Sequence, residues 1–326
     1  MKIAVYNYRM FDEDKLFKKF AKQYGVEILP ILESPSLENA GRINGCQAVS
    51  CITTPINETL LQEWSRIGIK HVSTRTIGFD HIDLEAAKKV GIGVSNVSYS
   101  TGSVADYTVM LILMALRKMK TIIRRADGWD YSLKGSLGKE MKDLTVGVVG
   151  TGKIGTHVIH NLSGFGCKLL AYDPYEKEEL KEVVRYLPWE ELIRKADVIT
   201  FHVPAMKENF HLINAKSLAQ MKDGVVLINT ARGNIIDTKA MIEALENGKI
   251  GAAAIDVIEN ETGLYYGDHK AEVVKNRELA ILRDMPNVLV TPHMAFYTID
   301  AVSDMVEHSI CHIVERDGNI VPERKE

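Results

Sequence analysis

Three residues in the second half of the chain carry the side chains that a reaction at a carbonyl group needs. Arg232, in the run Thr230-Ala231-Arg232-Gly233, can hold a carboxylate by two parallel hydrogen bonds and polarise a neighbouring carbonyl. His293, in Thr291-Pro292-His293, can deliver a proton near neutral pH, and Glu261 can orient its imidazole and stabilise the protonated form. By itself an arginine after a strand is surface charge, and a Pro-His pair is only a turn. Here each residue follows an apolar, strand-like run, 225–229, 252–256 and 288–291 in turn. Ligands of open α/β sheets collect at the carboxyl ends of strands, so the three loops point to one shared site.

A reaction of this kind needs a partner that gives or takes an electron pair, and residues 145–155, Thr-Val-Gly-Val-Val-Gly-Thr-Gly-Lys-Ile-Gly, offer a place for one. An apolar β-branched run stops at Gly150 and passes through Gly152 and Gly155 into a helix-like stretch. In a dinucleotide-binding turn one glycine allows the tight turn, one lets a pyrophosphate approach the backbone, and one lets helix pack against strand. The phosphates then sit on the first N–H groups of the helix. Residues 168–174, Lys-Leu-Leu-Ala-Tyr-Asp-Pro, repeat the buried-strand pattern and bring an acidic residue, Asp173, about 20 residues after the turn. That carboxylate suits ribose hydroxyls and repels the extra phosphate of NADP, so NAD is the expected cofactor. Asp173-Pro174 also suits a plain turn at a strand end, and the three glycines upstream favour the binding role.

The elements that must position these groups read as alternating strands and helices. Ahead of the glycine turn, strand-like runs at 3–6, 26–31, 48–52, 71–74 and 93–97 alternate with amphipathic helical runs at 13–24, 58–67 and 84–90. After it, strands fall at 198–201, 225–229, 252–256 and 288–291. Such alternation builds parallel sheets. Its presence on both sides of the turn predicts an α/β chain of two Rossmann- or flavodoxin-like doubly wound parallel-sheet domains with a cleft between them. Residues 103–125 are dense enough in apolar positions for one helix buried on most of its surface, and 300–315 form another that can pack back onto the first unit. The expected division is 1–100 plus 300–326 for a discontinuous substrate-binding domain and 101–299 for an NAD-binding domain, with hinges near 99–102 and 296–299.

At 326 residues the chain is long enough for two cores, and 46% hydrophobic with 25% charged residues is a globular balance. A net charge of −3 leaves no basic footprint for nucleic acid, and no polybasic run suggests a membrane partner. The longest apolar block, 109–116, is far short of the about 20 residues that span a bilayer. Residues 1–6 read as a strand rather than a signal peptide, so a cytoplasmic location is expected, and the charged tail 323–326 is expected to fray. Cys46, Cys51, Cys167 and Cys311 show no Cys-x-x-Cys spacing and read as reduced, buried thiols. His308 and His312 stand four apart but lack the glutamate of a zinc-peptidase helix, and His157 and His160 read as packing or surface residues, so no metal site is expected. His202, beside Pro204, either lines the cofactor site or satisfies a backbone carbonyl.

Taken together, Gly150-Thr151-Gly152-Lys153-Ile154-Gly155, Asn229-Thr230-Ala231-Arg232-Gly233, residues 256–261 and Thr291-Pro292-His293 resemble the D-specific 2-hydroxy-acid dehydrogenases over nearly the whole chain. Ser73-Thr74-Arg75-Thr76-Ile77-Gly78 and Ser103-Val104-Ala105-Asp106-Tyr107-Thr108 make the likeness closest to the D-lactate dehydrogenases, including those of glycopeptide resistance. The resemblance implies interconversion of a small 2-oxo acid and its D-2-hydroxy acid, most simply pyruvate and D-lactate. It implies a catalytic set of Arg232, His293 and Glu261 rather than Glu259. It implies cofactor contacts at Lys153, Ile154, Asp173, Val203, Pro204, Asn209, Thr230, Ala231, Arg232 and Asp256, the last near the nicotinamide carboxamide. The substrate carboxylate is then met by backbone N–H groups of Ile77 and Gly78, beside an aromatic wall of Tyr99 and Phe296 that Tyr297 can join. A homodimer is also implied, with the helix at 103–125 at an interface.

Two departures stand out. Tyr99-Ser100-Thr101 takes the place of the family's frequent Tyr-Ser-Pro, which loosens the loop that shapes the substrate pocket. Asp173 stands where the glycopeptide-resistance relatives lack an acidic residue, so ordinary 2-hydroxy-acid metabolism is the expectation. The alternatives are a dehydrogenase for bulkier branched or aromatic 2-oxo acids and a non-catalytic NAD-sensing scaffold, the latter disfavoured by the intact Arg232, Glu261 and His293.

Overall fold

The computed structural model describes residues 1–315. They form two compact units, residues 1–100 with 297–315, and Thr101–Phe296. The first unit is built from Lys2–Val5 (β1), Asp14–Tyr24 (α1), Glu27–Pro30 (β2), Ala48–Cys51 (β3), Glu58–Arg66 (α2), His71–Thr74 (β4), Leu84–Lys89 (α3) and Gly93–Ser95 (β5). The strands form one parallel sheet in the order β2-β1-β3-β4-β5. Every residue of β3 and β4 is buried, the pattern of strands covered on both faces. Asn57 and Asp83 start α2 and α3 by accepting the N–H groups of Leu60 and Ala86. At the carboxyl ends of these strands, on the face covered by α1, lies a fully buried charge. Arg75 donates to Glu13 Oε1 at 3.2 Å, to Ser50 Oγ at 3.0 Å and to Tyr6 O at 3.0 Å, which ties α1 to the carboxyl ends of β1 and β3.

The second unit runs from Gly102–Leu116 (α4) and Met119–Asp127 (α5) into Thr145–Val149 (β6), Lys153–Ser163 (α6), Lys168–Tyr172 (β7), Arg185–Tyr186 (β8), Trp189–Lys195 (α7) and Val198–Phe201 (β9). It continues through Ala215–Gln220 (α8), Val225–Asn229 (β10), Thr238–Glu246 (α9), Ile250–Ile255 (β11), Arg277–Asp284 (α10) and Val288–Val290 (β12). Its seven strands are parallel, in the order β12-β11-β10-β9-β6-β7-β8. The order reverses between β6 and β9, the switch point at which doubly wound sheets bind ligands.

The structure corrects several expectations. Residues 103–125 are two helices rather than one, because Lys118 adopts φ +52° between α4 and α5. Eight residues of α4 are buried, whereas α5 buries none and instead sends Lys120 Nζ to Arg283 O at 2.8 Å, at the end of α10. Cys46 and Cys51 are buried, but Cys167 and Cys311 are only partly so: Cys167 precedes β7, and Cys311 lies on a half-exposed stripe of the last helix. That helix, Ile299–Val314 (α11), lays Val306, Ile310 and Ile313 against Ile3, Val5, Phe17 and Phe20 and completes the first unit's core. Residues 297–299 also go with the first unit, since Tyr297 Oη donates to Asp12 Oδ2 at 2.7 Å and Thr298 caps α11. The tail 323–326 lies outside the described residues. Among those residues no helix is long and apolar enough to cross a membrane.

Burial, together with nearby His312, lowers the pKa of His71 to about 4. An unfolded chain titrates histidine near 6.5, so it binds the proton first. Stability that is complete above about pH 6.5 is then lost as pH falls towards about 4, by up to about 3 kcal/mol. Urea midpoints measured near neutral and mildly acid pH are expected to separate in the native protein and to converge in His71→Asn. A variant whose acid loss equals that of the native protein would contradict this assignment.

Candidate active site

The glycine turn is shaped by three different constraints. Gly150 follows β6 with φ +92°, and a Cβ there would meet His202 O at 2.7 Å. A Cβ on Gly155 would lie 1.9 Å from Gly150 O, so only glycine lets α6 begin this close to β6. Around Gly152 there is open space, with no atom within 4 Å of a Cβ position. The backbone therefore turns, packs and stays uncovered where a pyrophosphate must approach, and Lys153 and Ile154 open a helix whose first N–H groups have no intrahelical carbonyl. The residues present fit a dinucleotide.

Asp173 follows β7 and braces this turn, Oδ2 accepting Thr151 N at 2.6 Å and Oδ1 accepting Tyr175 N at 2.9 Å. The turn-forming and ligand-binding roles are compatible, because a carboxylate has about four acceptor sites and Oδ1 keeps capacity for a ribose hydroxyl. Val203 reaches the same turn, its Cγ1 lying 2.9 Å from the Gly150 Cβ position. Asn209 closes the neighbouring loop by donating to Pro204 O at 3.0 Å. His202 is held neutral, burial lowering its pKa to about 3, and Nε2 lies 3.0 Å from Thr200 Oγ1. Its ring thus pairs with a hydroxyl on its own strand.

Arg232 stands in a loop organised by Asn229, the last residue of β10. Asn229 Oδ1 accepts Ala231 N at 3.0 Å and its Nδ2 donates to Arg232 O at 2.8 Å. Thr230 Oγ1 lies 2.9 Å from Thr108 Oγ1 of α4. A Cβ on Gly233 would fall 2.1 Å from Ile258 C, so the arginine loop lies directly against the loop after β11. The two glutamates of that loop go separate ways. Glu259 Oε1 lies 2.7 Å from His211 Nε2, and Oε2 accepts Thr238 N at 2.9 Å at the start of α9. Burial pushes the Glu259 carboxyl up, but the bonds from His211 and Thr238 outweigh it and leave it below the usual range. Glu261 Oε1 instead lies 2.7 Å from His293 Nδ1, while its Oε2 accepts Ile258 N at 3.1 Å.

His293 itself has φ +54°, a conformation uncommon outside glycine. Asp256, completely buried, holds it there. Asp256 O accepts His293 N at 2.8 Å, and its carboxylate accepts Thr291 Oγ1 at 2.5 Å, Met294 N at 2.9 Å and Ala295 N at 2.8 Å. Burial raises the Asp256 carboxyl above its ordinary range against the pull of those donors. The residue expected near the nicotinamide is thus also the brace of the histidine loop. Tyr266 adds a second hold by donating Oη to His293 O at 2.8 Å, and it meets Phe296 edge-on with ring centroids 6.4 Å apart. With its backbone and Nδ1 fixed, Nε2 is the ring nitrogen placed to exchange a proton with a ligand.

Ile77, Gly78 and Tyr99 belong to the first unit. Thr76 O accepts Val97 N at 3.2 Å, and Ile77 O accepts Asn96 Nδ2 at 2.8 Å. In a trans peptide the N–H points opposite to the C=O, so these bonds turn the N–H groups of Ile77 and Gly78 together to the side away from residues 96–97. Successive N–H groups on one side suit an anion. Tyr297, also in the first unit, faces the Arg9 guanidinium. Among the described residues no three His, Cys, Asp or Glu side chains could hold a metal ion. His308 and His312 donate to backbone carbonyls, and His157 Nδ1 pairs with Thr101 Oγ1 at 2.7 Å. Sequence reasoning missed Tyr266 and Asn229. A half-exposed tyrosine in a loop has no signature, whereas an amide closing an otherwise apolar strand was a readable signal.

Residues 109–295 match the family model for the D-isomer specific 2-hydroxyacid dehydrogenase, NAD binding domain. The chain is 44% identical over 301 residues to a D-specific alpha-keto acid dehydrogenase of Enterococcus faecium, covering 92% of this chain and 92% of that protein. It is 42% identical over 320 residues to an aromatic 2-oxoacid reductase of Clostridium sporogenes, covering 97% and 96%. A D-lactate dehydrogenase of Treponema pallidum has the same fold, with a TM-score of 0.86 at 34% identity over 98% of each chain. A cofactor domain that matches across more than half of the chain, and relatives that match nearly all of it, lead to one conclusion. This chain belongs to the D-isomer specific 2-hydroxyacid dehydrogenase family, with NAD as its cofactor.

Proposed function

We propose that this NAD-dependent D-2-hydroxyacid dehydrogenase interconverts a small 2-oxo acid and its D-2-hydroxy acid, pyruvate and D-lactate being the first pair, through Arg232, Glu261 and His293. The observation that carries this reading is the Glu261–His293 pair at 2.7 Å, on a histidine whose backbone is fixed by Asp256 and Tyr266. When bound on the glycine turn, NAD supplies or accepts the hydride at the carbonyl carbon. In reduction, His293 gives the proton on Nε2 to the forming alkoxide and recovers it in the reverse direction. Glu261, whose Oε1 lies 2.7 Å from Nδ1, keeps the ring in one orientation. Arg232 holds the substrate carboxylate and stabilises charge on the carbonyl oxygen, and the N–H groups of Ile77 and Gly78 receive the carboxylate.

A second substrate reading rests on the aromatic surface. Tyr266 and Phe296 meet edge-on, and the Tyr266 ring lies 6.4 Å from the His293 ring, an environment that suits a bulkier, aromatic 2-oxo acid. The Clostridium sporogenes relative carries a matching name. We also read the protein as a homodimer. Val109, Met110, Leu113, Met114 and Met119 line an apolar groove along α4, and Trp129, Tyr131, Leu133 and Leu137 are all more than two-thirds exposed. A second copy of the chain is the occupant that such a surface suits.

A His293→Ala variant is expected to lose about 10²–10⁴-fold in kcat with unchanged folding, and normal turnover would overturn the assignment. Glu261→Gln replaces the carboxylate that orients the His293 ring, so kcat/KM for reduction should fall by about tenfold or more; unchanged kinetics would count against that role. Gly155→Ala should weaken NADH binding by about tenfold or more in a fluorescence titration, because its Cβ forces α6 away from β6. A coupled NADH-oxidation assay across pyruvate, branched and aromatic 2-oxo acids ranks the two substrate readings. Light scattering showing a monomer at assay concentration would remove the dimer.

A further inference from the structure

Helix α11 carries Asp304, His308 and His312 four residues apart, hence on one face with about 6 Å between successive side chains. Facing them is the extended segment after β5, whose alternate residues repeat at about 6.6 Å. The two spacings match. Ser100 N donates to Asp304 Oδ2 at 3.2 Å, His308 Nδ1 donates to Ser98 O, and His312 Nδ1 donates to Asn96 O at 2.9 Å. The helix therefore runs antiparallel to the segment and serves its backbone polar groups beside the edge strand of the sheet, which among the described residues has no further strand next to it. The two imidazoles lie parallel, with centroids 5.9 Å apart and planes within 10°. Nδ1 donates in both the neutral tautomer and the imidazolium, and the grip needs no change of charge.

The held segment is the one that orients the paired N–H groups. Asn96 accepts His312 at its carbonyl and donates its side chain to Ile77 O at 2.8 Å, and Val97 N donates to Thr76 O at 3.2 Å. Tyr99 lies between the points held by His308 and Asp304. The helix is itself fixed by Val306, Ile310 and Ile313 in the core. We infer that Asp304, His308 and His312 are positioning residues for the substrate's carboxylate site: they set residues 96–100, which in turn aim the N–H groups of Ile77 and Gly78. This rests on the reading of that N–H pair as the carboxylate site.

The test compares His308→Leu/His312→Leu with His308→Asn/His312→Asn in the NADH-loaded enzyme, because an asparagine Nδ2 can take the place of the imidazole Nδ1. Three quantities are read: KM for the preferred 2-oxo acid, inhibition by oxamate, and the NADH dissociation constant. The leucine pair is expected to raise KM and the oxamate inhibition constant together by about tenfold, with kcat within about twofold and NADH binding unchanged. The asparagine pair should return both constants to within about threefold of the native values. Native constants in the leucine pair would overturn the inference, as would losses of equal size in both pairs that track the melting temperature. If the leucine pair folds poorly, single His312→Leu is judged by the same outcomes. An active His293→Ala would instead remove the functional reading, whereas an inactive one with an unaffected leucine pair removes only this inference.

Discussion

A carboxylate cut off from water must be answered by donors from the protein, and the buried Asp256 is answered by the loop that carries His293. Three donors from Thr291, Met294 and Ala295 converge on it, so any excursion of that loop would strand a buried charge. The same dependence makes the left-handed backbone of His293 tolerable, since neighbouring bonds over-determine it. Once that loop is fixed, the neighbouring groups of the second unit have a place to meet it. Glu261 reaches Nδ1, Tyr266 reaches the carbonyl, and Gly233 lets the Arg232 loop lie against the loop that carries Glu261.

The first unit orients its donors by a related device that needs no carboxylate. Its N–H pair at Ile77 and Gly78 is aimed by occupying the carbonyls on the opposite side of the same peptides, through Val97 N and Asn96 Nδ2. The glycine turn of the second unit achieves the same end by omission, leaving backbone uncovered at Gly152 while Gly150 and Gly155 hold strand and helix together. In each case the groups held in place are main chain, which cannot change rotamer, and the side chains serve to hold it.

Much of this was legible in the sequence because parallel strands covered on both faces read as short apolar runs, and β4, β9 and β10 fall where those runs do. Arg232, Glu261 and His293 drew attention by following such runs. What escaped was set by tertiary contact. Arg117 and Lys118 are good helix formers, so nothing local marked the break that turned one expected helix into α4 and α5. Strand β8 has two residues, too few to show a period. The spacing of His308 and His312 was visible, but their partners are carbonyls some two hundred residues away in the chain. Asp256 was seen as a cofactor contact, while its hold on the histidine loop depends on donors that no spacing rule gathers. Tyr266 lay in a loop without a pattern.

The central claim is that this fold delivers hydride and proton to one face of a 2-oxo acid with NAD as the redox partner. Chiral chromatography of the product formed from a 2-oxo acid and NADH by the purified protein tests it most directly. The account predicts the D-2-hydroxy acid alone. A racemic or L product, or no product with any 2-oxo acid, would contradict it.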